Sequence, residues 1–323
     1  MLNNQDFTVN RTKYLGGSDL GAILGFSKYR SALDVWLEKT GKASNTATSL
    51  PLRFGSFAEE FVASEYATQT GFTLINHPNT VVHPEFPYLA GHIDRYVAGF
   101  TLNKPLFNKD GTCNATRLLE CKTANPFTQS DWGELGTDEV PMSYLVQCLW
   151  YLALTKVNQC DVAVLFGNSD FRIYEIYSDP ELENLLTSKA QEFWISHVQA
   201  DIPPPPQTEH DCQQLFRNEK IGQSIEADEL TREFTQKLKL LNQEIKSIEL
   251  EASQIKQTLM EKIGEAQTLT YRGQVLATWK APKPSFRLDS KRLEIEHPDL
   301  IPRYQVPIQN SRRLVIKDIL SQT

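Results

Sequence analysis

Apolar residues along this 323-residue chain follow helical, strand-like and heptad spacings in different regions. Up to the four prolines at 203–206, short segments with the 3.6-residue period of helices alternate with segments typical of strands. Consecutive prolines cannot continue a helix or join a central strand, so they predict a linker. We therefore expect a domain at 1–202, a linker at 203–224, a helix at 225–267 and a further region at 268–323.

Helical and extended segments alternate along the first domain. Capping residues, Pro141 and glycines bound helices predicted over 18–24, 31–39, 55–70, 141–155 and 180–198. Extended segments are predicted in TLINHPNTVVH, YLAGHIDRYVAGF, TRLLECKTA, QCDVAVLFG and FRIYEIYS. Gly167-Asn168 predicts a hairpin turn between the last two. This order of elements predicts an α/β fold in which a small mixed sheet is flanked by helices.

The helix at 225–267 carries a regular apolar seam. Its members recur at alternating steps of four and three over nearly four heptads, at Phe234, Leu238, Leu241, Ile245, Ile248, Ala252, Ile255 and Leu259. This a/d pattern predicts a coiled coil or a helical hairpin, and both require a partner helix. The alternative is a long helix that packs on its own domain.

Residues 268–323 form a basic region that begins with a predicted hairpin turning at Arg272-Gly273. The region holds ten Lys and Arg against five Asp and Glu, whereas the whole chain has a net charge of −7. Its basic side chains interleave with Trp279, Phe286 and Tyr304, a mixture that suits phosphate contact and base stacking. It therefore predicts a DNA or partner contact. A small α+β cap with a basic surface is the alternative.

Composition restricts the class of protein. Hydrophobic residues make up 40% and charged residues 23%, as in soluble globular proteins. The polar segment MLNNQDFTVNRTKY lacks the apolar stretch of a signal peptide, and YLVQCLWYLALT is too short to span a bilayer. Five cysteines without a Cys-x-x-Cys pair disfavour a disulfide framework or zinc ribbon and suit a reducing cytoplasm.

Candidate chemistry centres on the extended segment RLLECKTA. Side chains alternate faces along a strand, so Glu120 and Lys122 project to one side and Cys121 projects to the other. A carboxylate can hold a hard cation, and an adjacent ammonium can stabilise the charge that develops in phosphoryl chemistry. Glu-x-Lys is nevertheless common. It recurs at residues 244–246 on the predicted coiled coil, where it is a solvated pair, so the neighbours of each copy decide its role.

Asp94 supplies a second candidate carboxylate, in the extended segment before Glu120. On adjacent strands, the two would provide hard oxygen ligands, and the Cys121 backbone carbonyl could provide another. The soft Cys121 sulfur suits a different class of metal. Glu59 and Glu60 lie near the start of a helix, where Glu59 is expected to face inward and Glu60 to face water. First-turn acids that complement the helix dipole are the alternative.

The helix predicted at 141–155 carries polar side chains on an otherwise leucine-rich surface. Tyr144, Gln147 and Tyr151 are spaced three and four residues apart and share one face. A buried glutamine needs polar partners, which a metal-bound water or a DNA phosphate would provide. Gln147 is therefore a candidate for the chemistry, and both tyrosines are candidates for DNA contact.

Five ordered blocks of the chain resemble the YqaJ/lambda-exonuclease family of phage recombinases, which belongs to the PD-(D/E)XK nuclease superfamily. They are RTKYLGGSDLGAILG, FGSFAEEF, AGHIDRYV, LLECKTA and VPMSYLVQCLWYL. The resemblance extends from residue 11 to about residue 198. It implies a nuclease fold over 1–202 that uses one or two Mg²⁺ ions, for which Mn²⁺ substitutes.

The resemblance also implies roles for these residues. Asp94, Glu120 and the Cys121 carbonyl would bind the metal, and Lys122 would be the catalytic lysine. Glu59 and Gln147 would support the metal-bound water, so the expected catalytic set is Asp94, Glu120, Lys122, Glu59 and Gln147.

A pocket for the 5′-phosphate is implied by the first block. Arg11 and Ser18 are seven residues apart, the spacing with which family members hold the 5′-phosphate of the strand being degraded. A guanidinium can bind a phosphate through two hydrogen bonds, and a helix start adds backbone N–H donors. His92 stands where lambda exonuclease has a serine. Leu149 stands where some relatives have a second glutamine.

These features predict a Mg²⁺-dependent 5′→3′ exonuclease that degrades one strand from linear double-stranded DNA ends. The product would be 3′ single-stranded tails for phage-type recombination by strand annealing. The resemblance further implies a ring-shaped trimer, a single-strand annealing protein as partner, no membrane contact, and action in a bacterial host cytoplasm as a phage or prophage product.

Other readings of the motifs stay open. Gln147-x-x-x-Tyr151 also fits nucleases of the helicase–nuclease repair type. A restriction endonuclease is a second alternative. A non-catalytic scaffold that binds DNA ends, with a coiled coil that recruits partners, is the alternative from outside the enzymes.

Overall fold

A computed structural model describes residues 11–43, 50–98, 105–306 and 311–317 of the chain. The chain divides into two compact units, Met1–Leu215 and Phe216–Thr323. The first ten residues, on which part of the signal-peptide argument depends, lie outside the described residues. So do residues 99 and 100 of the second extended segment.

In the described part of the chain, five α-helices of the first unit occupy the predicted places with shifted ends, and a sixth lies in the segment predicted as a linker. They are α1 (Gly17–Ile23), α2 (Ala32–Lys39), α3 (Leu50–Thr70), α4 (Met142–Thr155), α5 (Pro180–Phe193), which continues as a π-helical turn (Trp194–Gln199), and α6 (Glu209–Leu215). The start of α3 was predicted at residue 55, but Gly55 lies inside the helix. A side-chain carbon at this position would lie 3.8 Å from the Thr123 hydroxyl, an ordinary contact, so Gly55 marks neither the helix start nor a tight approach.

The strands of the first unit form one five-stranded sheet and a separate ribbon. They are β1 (Leu74–Ile75), β2 (Val81–Val82), β3 (Ala90–Gly91), β4 (Arg95–Val97), β5 (Arg117–Ala124), β6 (Gln159–Phe166) and β7 (Asp170–Tyr177). The sheet has the order β1-β4-β5-β6-β7, with β5 and β6 parallel and all other neighbours antiparallel. The ribbon pairs β2 with β3. The predicted mixed sheet flanked by helices is confirmed, as is the hairpin between β6 and β7.

Helices cover both faces of the sheet, because its central strands carry apolar side chains on both sides. Leu119 and Ala163 lie on the face that packs against Val62 and Tyr66 of α3. Leu118, one residue away, lies on the face covered by α4. A strand buried on both faces has a nearly continuous apolar sequence, which explains the CDVAVLF run of β6. The alternation places successive β5 residues on opposite sides of the sheet.

The segment predicted as a linker contains α6, and this part of the linker prediction is corrected. Asp211 is buried, accepting a hydrogen bond from the Ser31 hydroxyl at 2.7 Å and another from the Gln207 N–H at 2.8 Å. The side-chain Oε1 of Gln207 in turn accepts a hydrogen bond from the N–H of Ala32 at 3.0 Å. The prolines therefore interrupt helical structure, but the chain after them stays bound to the first unit. The following residues bind the start of α2, and the boundary between the units falls after Leu215.

The second unit consists of a long helix, a hairpin and two short helices. Its elements are α7 (Glu229–Ile263), β8 (Thr268–Tyr271), β9 (Gln274–Thr278), α8 (Ser290–Glu296) and α9 (Ile301–Tyr304). The hairpin turn was predicted at Arg272-Gly273, and both residues have positive φ there, +48° and +81°. The long helix and this hairpin confirm the predictions. Within the described ranges, no helix is both long and apolar enough to cross a bilayer.

A buried ion pair ties the start of the described chain to α2. The Asp19 carboxylate and the Lys39 ammonium lie 2.8 Å apart and are 1% and 0% exposed. Asp19 also accepts a hydrogen bond from the Gly16 N–H at 2.9 Å and pairs with Arg30 at 3.1 Å. Lys39 donates to the Arg11 carbonyl at 2.8 Å. This network holds the turn that precedes α1 and the backbone of Arg11.

Replacing Asp19 by asparagine should lower the free energy of unfolding at pH 7 by about 3 kcal/mol or more, because Lys39 would lose its buried counter-charge. Burial alone would raise the pKa of Asp19, but Lys39 and Arg30 outweigh burial and hold the pKa below the ordinary 3.8. The stabilisation is therefore complete above about pH 4 and is lost as the pH falls through the folded-state pKa. Urea unfolding at pH 7 and at stepwise lower pH measures both effects.

Glu38→Gln is the matched control for this measurement. The Glu38 side chain is 34% exposed where it meets Lys39, so its loss should cost about 1 kcal/mol or less. An Asp19→Asn protein as stable as the wild type at pH 7 would contradict the role of the buried pair. So would a difference that does not shrink on acidification.

Candidate active site

The central strand β5 brings Glu120 and Lys122 together on the sheet face that α4 covers. The Glu120 carboxylate is 2% exposed and forms an ion pair with the Lys122 ammonium. Gln147 of α4 completes the group, since its amide nitrogen donates to Glu120 Oε1 at 2.7 Å and its carbonyl accepts from Lys122 Nζ at 3.2 Å. The predicted positions of Glu120 and Lys122 on one side of the strand are thus observed, together with the glutamine expected nearby.

Asp94 lies beside this group, in the short connection between β3 and β4. The β4–β5 pairing reaches Arg95 opposite Leu119, and Asp94 precedes the last of these pairs. Its Oδ2 accepts a hydrogen bond from the backbone N–H of Cys121 at 2.8 Å. In a strand, the N–H and C=O of one residue point to the same edge, so the Cys121 carbonyl faces the edge occupied by Asp94. Both predicted carboxylates and this carbonyl therefore meet at one end of the paired strands.

Burial and neighbouring charges set the protonation of the group. Burial raises the pKa of Asp94 well above its ordinary value, and the nearby Glu120 carboxylate raises it further. Burial acts to lower the pKa of Lys122, but Glu120 and Asp94 outweigh it and leave the pKa raised, so the ammonium stays charged. Burial, with Asp94 adding to it, raises the pKa of the Cys121 thiol, which therefore stays protonated and is a poor metal ligand.

The donor set fits a hard divalent cation. Glu120 Oε2 is buried, and no side chain or backbone group in the described part of the chain forms a hydrogen bond with it. Across the described ranges, no three His, Cys, Asp or Glu side chains group closely enough to hold a metal by themselves. Two carboxylates and a carbonyl leave coordination positions for water and phosphate oxygens, which is how Mg²⁺ commonly binds.

Glu59 and Glu60 of α3 both contact Arg95, a residue that the sequence did not single out. The Arg95 guanidinium donates to Glu59 Oε1 at 2.8 Å and to Glu60 Oε2 at 2.6 Å. It also donates to the Asp94 carbonyl at 2.5 Å. Glu59 is half-buried and Glu60 is exposed, as the helix pattern indicated. Arg95 thus links α3 to the backbone of Asp94. The sequence signal that could have identified Arg95 is a charged residue within a predicted strand.

Arg11 and Ser18 meet at the mouth of a cleft of about 440 Å³. Arg11 Nη2 donates to the Ser18 hydroxyl at 3.0 Å. His92, Asp94 and Tyr151 also line this cleft. The full lining comprises Arg11, Tyr14, Gly16, Gly17, Ser18, Pro78, Thr80, His92, Asp94, Gln147 and Tyr151. Two members of the expected catalytic set, Asp94 and Gln147, therefore share one cavity with the residues expected to bind a 5′-phosphate.

Both candidate tyrosines of α4 contact the Glu120–Lys122–Gln147 group. Gln147 Nε2 donates to the Tyr151 hydroxyl at 2.8 Å. The Lys122 ammonium lies 4.8 Å from the centre of the Tyr144 ring, within the range of a cation–π contact. Burial raises the pKa of Tyr151 well above its ordinary value, with Glu120 adding to the rise, so its hydroxyl stays neutral.

Gly17 brings α1 close enough to α4 to close the cleft. A side-chain carbon at this position would lie 3.0 Å from Gln147 Cγ and 3.2 Å from the Tyr151 ring. Contacts this short would displace the glutamine that holds Glu120 and Lys122. The Gly16-Gly17 pair before a helix start was visible in the sequence, but the partner of Gly17 was not, because Gln147 is 130 residues away along the chain.

Three solved structures are similar to part of this chain. LHK-Exo in complex with dAMP has a TM-score of 0.47 at 14% identity, covering 61% of this chain and 94% of that one. The alkaline exonuclease LHK-Exo from Laribacter hongkongensis has a TM-score of 0.45 at 14% identity, with the same coverage of 61% and 94%. A phage-related exonuclease from Haemophilus somnus 129PT has a TM-score of 0.42 at 13% identity, covering 58% and 96%.

Sequence comparison covers more of the chain. Over 325 residues the chain is 26% identical to the uncharacterized protein YqaJ of Bacillus subtilis (strain 168), covering 98% of this chain and 95% of that protein. Residues 6–158, which include every candidate site residue, match the model of the YqaJ-like viral recombinase domain, the family that the five sequence blocks resemble.

Proposed function

We propose that this chain is a divalent-metal-dependent deoxyribonuclease that degrades one strand in the 5′→3′ direction from the ends of linear double-stranded DNA. Its product would be a 3′ single-stranded tail, which serves recombination by strand annealing. The match of residues 6–158 to the YqaJ-like viral recombinase domain agrees with this proposal.

One observation carries the proposal. Asp94, Glu120, Lys122 and Gln147 converge at one end of β4 and β5, and the cleft at this point also contains the Arg11–Ser18 pair. Carboxylates beside a permanent ammonium suit the hydrolysis of a phosphodiester, which carries negative charge into its transition state. A second anion-binding group in the same cleft suits a substrate that ends in a phosphate.

The metal would be held by Asp94, Glu120 and the Cys121 carbonyl. Bound Mg²⁺, as one or two ions, would neutralise phosphate charge and make water a stronger nucleophile. Lys122 would stabilise the negative charge that develops on the scissile phosphate, and Gln147 would keep Lys122 and Glu120 in position. Glu59, from the opposite side of β5, would help to orient the attacking water.

The other end of the cleft would bind the DNA terminus. The Arg11 guanidinium can donate two hydrogen bonds to a 5′-phosphate, and Ser18 can donate a third. His92, on the lining of the same cavity, can approach the terminal nucleotide, and the neutral hydroxyl of Tyr151 can donate to the backbone. Binding of the terminal phosphate at a fixed distance from Glu120 would set the direction of degradation.

The proposal also includes partners and a compartment. By its family, the nuclease would act as a ring-shaped trimer and pass its product to a single-strand annealing protein. The basic region at 268–323 would add DNA or partner contact. Cysteines 113, 121, 148, 160 and 212 are all free thiols, which suits the reducing cytoplasm of a bacterial host.

Lys122→Ala should lower Mg²⁺-dependent degradation of an end-labelled linear duplex by about a hundredfold or more, because it removes the cation beside the reacting phosphate. Lys246→Ala is the matched control, since it alters the second Glu-x-Lys sequence, on the exposed surface of α7. It should retain the wild-type rate. Equal rates for Lys122→Ala and the wild type would remove the basis for a catalytic role.

Removal of divalent cations should abolish the activity. Protein treated with EDTA and assayed in metal-free buffer should leave the linear duplex intact. Without a cation, the side chains of Asp94 and Glu120 would face the phosphate with nothing to neutralise its charge. Addition of Mg²⁺ should restore degradation, and Mn²⁺ should substitute for it. Undiminished cleavage in the metal-free assay would contradict the proposed chemistry.

Arg11→Ala should slow degradation of 5′-phosphorylated duplexes about tenfold, because a charge-assisted contact with the phosphate is lost. The rate on 5′-hydroxyl duplexes should change little, so the preference between the two ends should fall. Arg232→Ala, which alters an exposed arginine of α7, is the control.

Covalently closed circles should stay intact in the same assay. Their cleavage would favour a restriction-type endonuclease over an exonuclease. An unchanged preference for phosphorylated ends in Arg11→Ala would show that Arg11 does not bind the terminal phosphate.

A further inference from the structure

The apolar seam of α7 lies in solvent along its whole length. The exposed fractions of its larger members are 62% at Phe234, 52% at Ile245, 58% at Ile248 and 55% at Ile255. Leu238, Leu241 and Leu259 are exposed by 38%, 45% and 42%. A contiguous apolar stripe exposed along a 35-residue helix is typical of an interaction site. The seam is therefore the unpaired half of an interface.

The hairpin of the second unit contacts a different face of α7. Trp279, which follows β9, shares a cavity with Lys256, Gln257 and Met260 near the end of the helix. Ile263, one turn beyond the seam, is buried. Within the described residues of this unit, the hairpin leaves Ala252, Ile255 and Leu259 uncovered. The seam therefore stays exposed even at the end of α7 that lies next to the hairpin.

We propose that the partner of this seam is α7 of further copies of the same chain, in a parallel and in-register coiled coil. From Phe234 to Leu259, every a and d position is apolar, so identical helices can bury the seam without enclosing a polar group. The proposal concerns the second unit and stands whether or not the first unit is a nuclease.

Charges beside the seam select the parallel orientation. In the heptads defined by Leu238 and Ile245 at position a, Glu251 occupies g and Lys256 occupies e. A parallel coiled coil places Glu251 of one copy opposite Lys256 of the next. The antiparallel alignment that overlaps the whole seam places Glu244 opposite Glu251 and lacks this attraction.

Repulsion between glutamates favours neither the parallel nor the antiparallel orientation. A parallel coiled coil brings Glu244 of one copy near Glu249 of the next, which matches the Glu244–Glu251 repulsion of the antiparallel alignment. The Glu251–Lys256 attraction therefore decides the orientation.

The shapes of the seam residues indicate more than two strands. Parallel dimers favour β-branched residues at a with leucine at d, whereas leucine at a with isoleucine at d favours trimers or tetramers. Here position a holds Leu238, Ile245, Ala252 and Leu259, and position d holds Phe234, Leu241, Ile248 and Ile255. No heptad of the seam combines a β-branched residue at a with leucine at d, and Ile245 with Ile248 is an isoleucine pair at a and d, which also favours three or four strands. We therefore assign three or more copies to the coiled coil. Their C-terminal basic regions would be attached to one bundle and could bind DNA with combined avidity.

Cysteine cross-linking of the full chain tests the parallel seam. In a Cys212→Ser background, which removes the exposed thiol, Leu259→Cys should form a disulfide between copies under mild oxidation. Among the alignments that overlap the whole seam, the parallel, in-register one places residue 259 beside its own equivalent, whereas the antiparallel one places it beside residue 234. Gln243→Cys, at the outward f position, is the matched control and should not cross-link. Light scattering should give at least three chain masses of 36.7 kDa.

A second substitution separates the seam from any other site of self-association. Ile248→Glu in the Leu259→Cys chain should abolish the cross-link, because the bundle would have to bury several carboxylates. Lys246→Glu, two residues away and outside the seam, should leave the cross-link intact.

Three results would overturn the proposal. They are a cross-link that survives Ile248→Glu, cross-linking of Leu259→Cys to Phe234→Cys but not to itself, and a wild-type mass of one or two chains.

Discussion

The buried carboxylate of Glu120 imposes the main requirement on the first unit. Removing a carboxylate from water costs several kcal/mol unless a counter-charge and hydrogen bonds compensate for the lost hydration. Lys122 supplies the charge from two residues further along the same strand, on the same face. Gln147 supplies a hydrogen bond to each of them. One oxygen of Glu120 still has no partner among the described residues, which leaves it available to a cation.

The surrounding elements can be understood from this requirement. The carboxylate stays at a fixed point of the sheet because β5 pairs with β6 along its whole length, with Glu120 beside Val162. The glutamine reaches it because Gly17 and Gly91 let neighbouring segments approach α4 closely. A side-chain carbon on Gly91 would lie 2.9 Å from Leu154. Small residues at these two contacts therefore keep the polar group on α4 in place.

A second buried charge pair, Asp19 with Lys39, supports the other wall of the cleft. It fixes the backbone of Arg11 and the turn before Ser18, while the Glu120 pair fixes the wall formed by the sheet. The Glu-x-Lys sequence at 244–246 shows how much the surroundings matter. On the exposed surface of α7, residues two apart do not face each other, and an ion pair in water contributes little. The same residue types acquire chemical meaning only when buried on a strand.

The sequence by itself determined the parts of this protein that depend on local periodicity. Strand alternation placed Glu120 and Lys122 on one face, heptad spacing identified α7, and turn residues located two hairpins. Only the tertiary structure decided which distant groups meet. Asp94 binds the N–H of Cys121, 27 residues away along the chain, and Asp211 binds Ser31, 180 residues away. Arg95 forms salt bridges with both Glu59 and Glu60. Periodicity reports which face of an element is buried, whereas the partner of a buried charge depends on how whole elements pack.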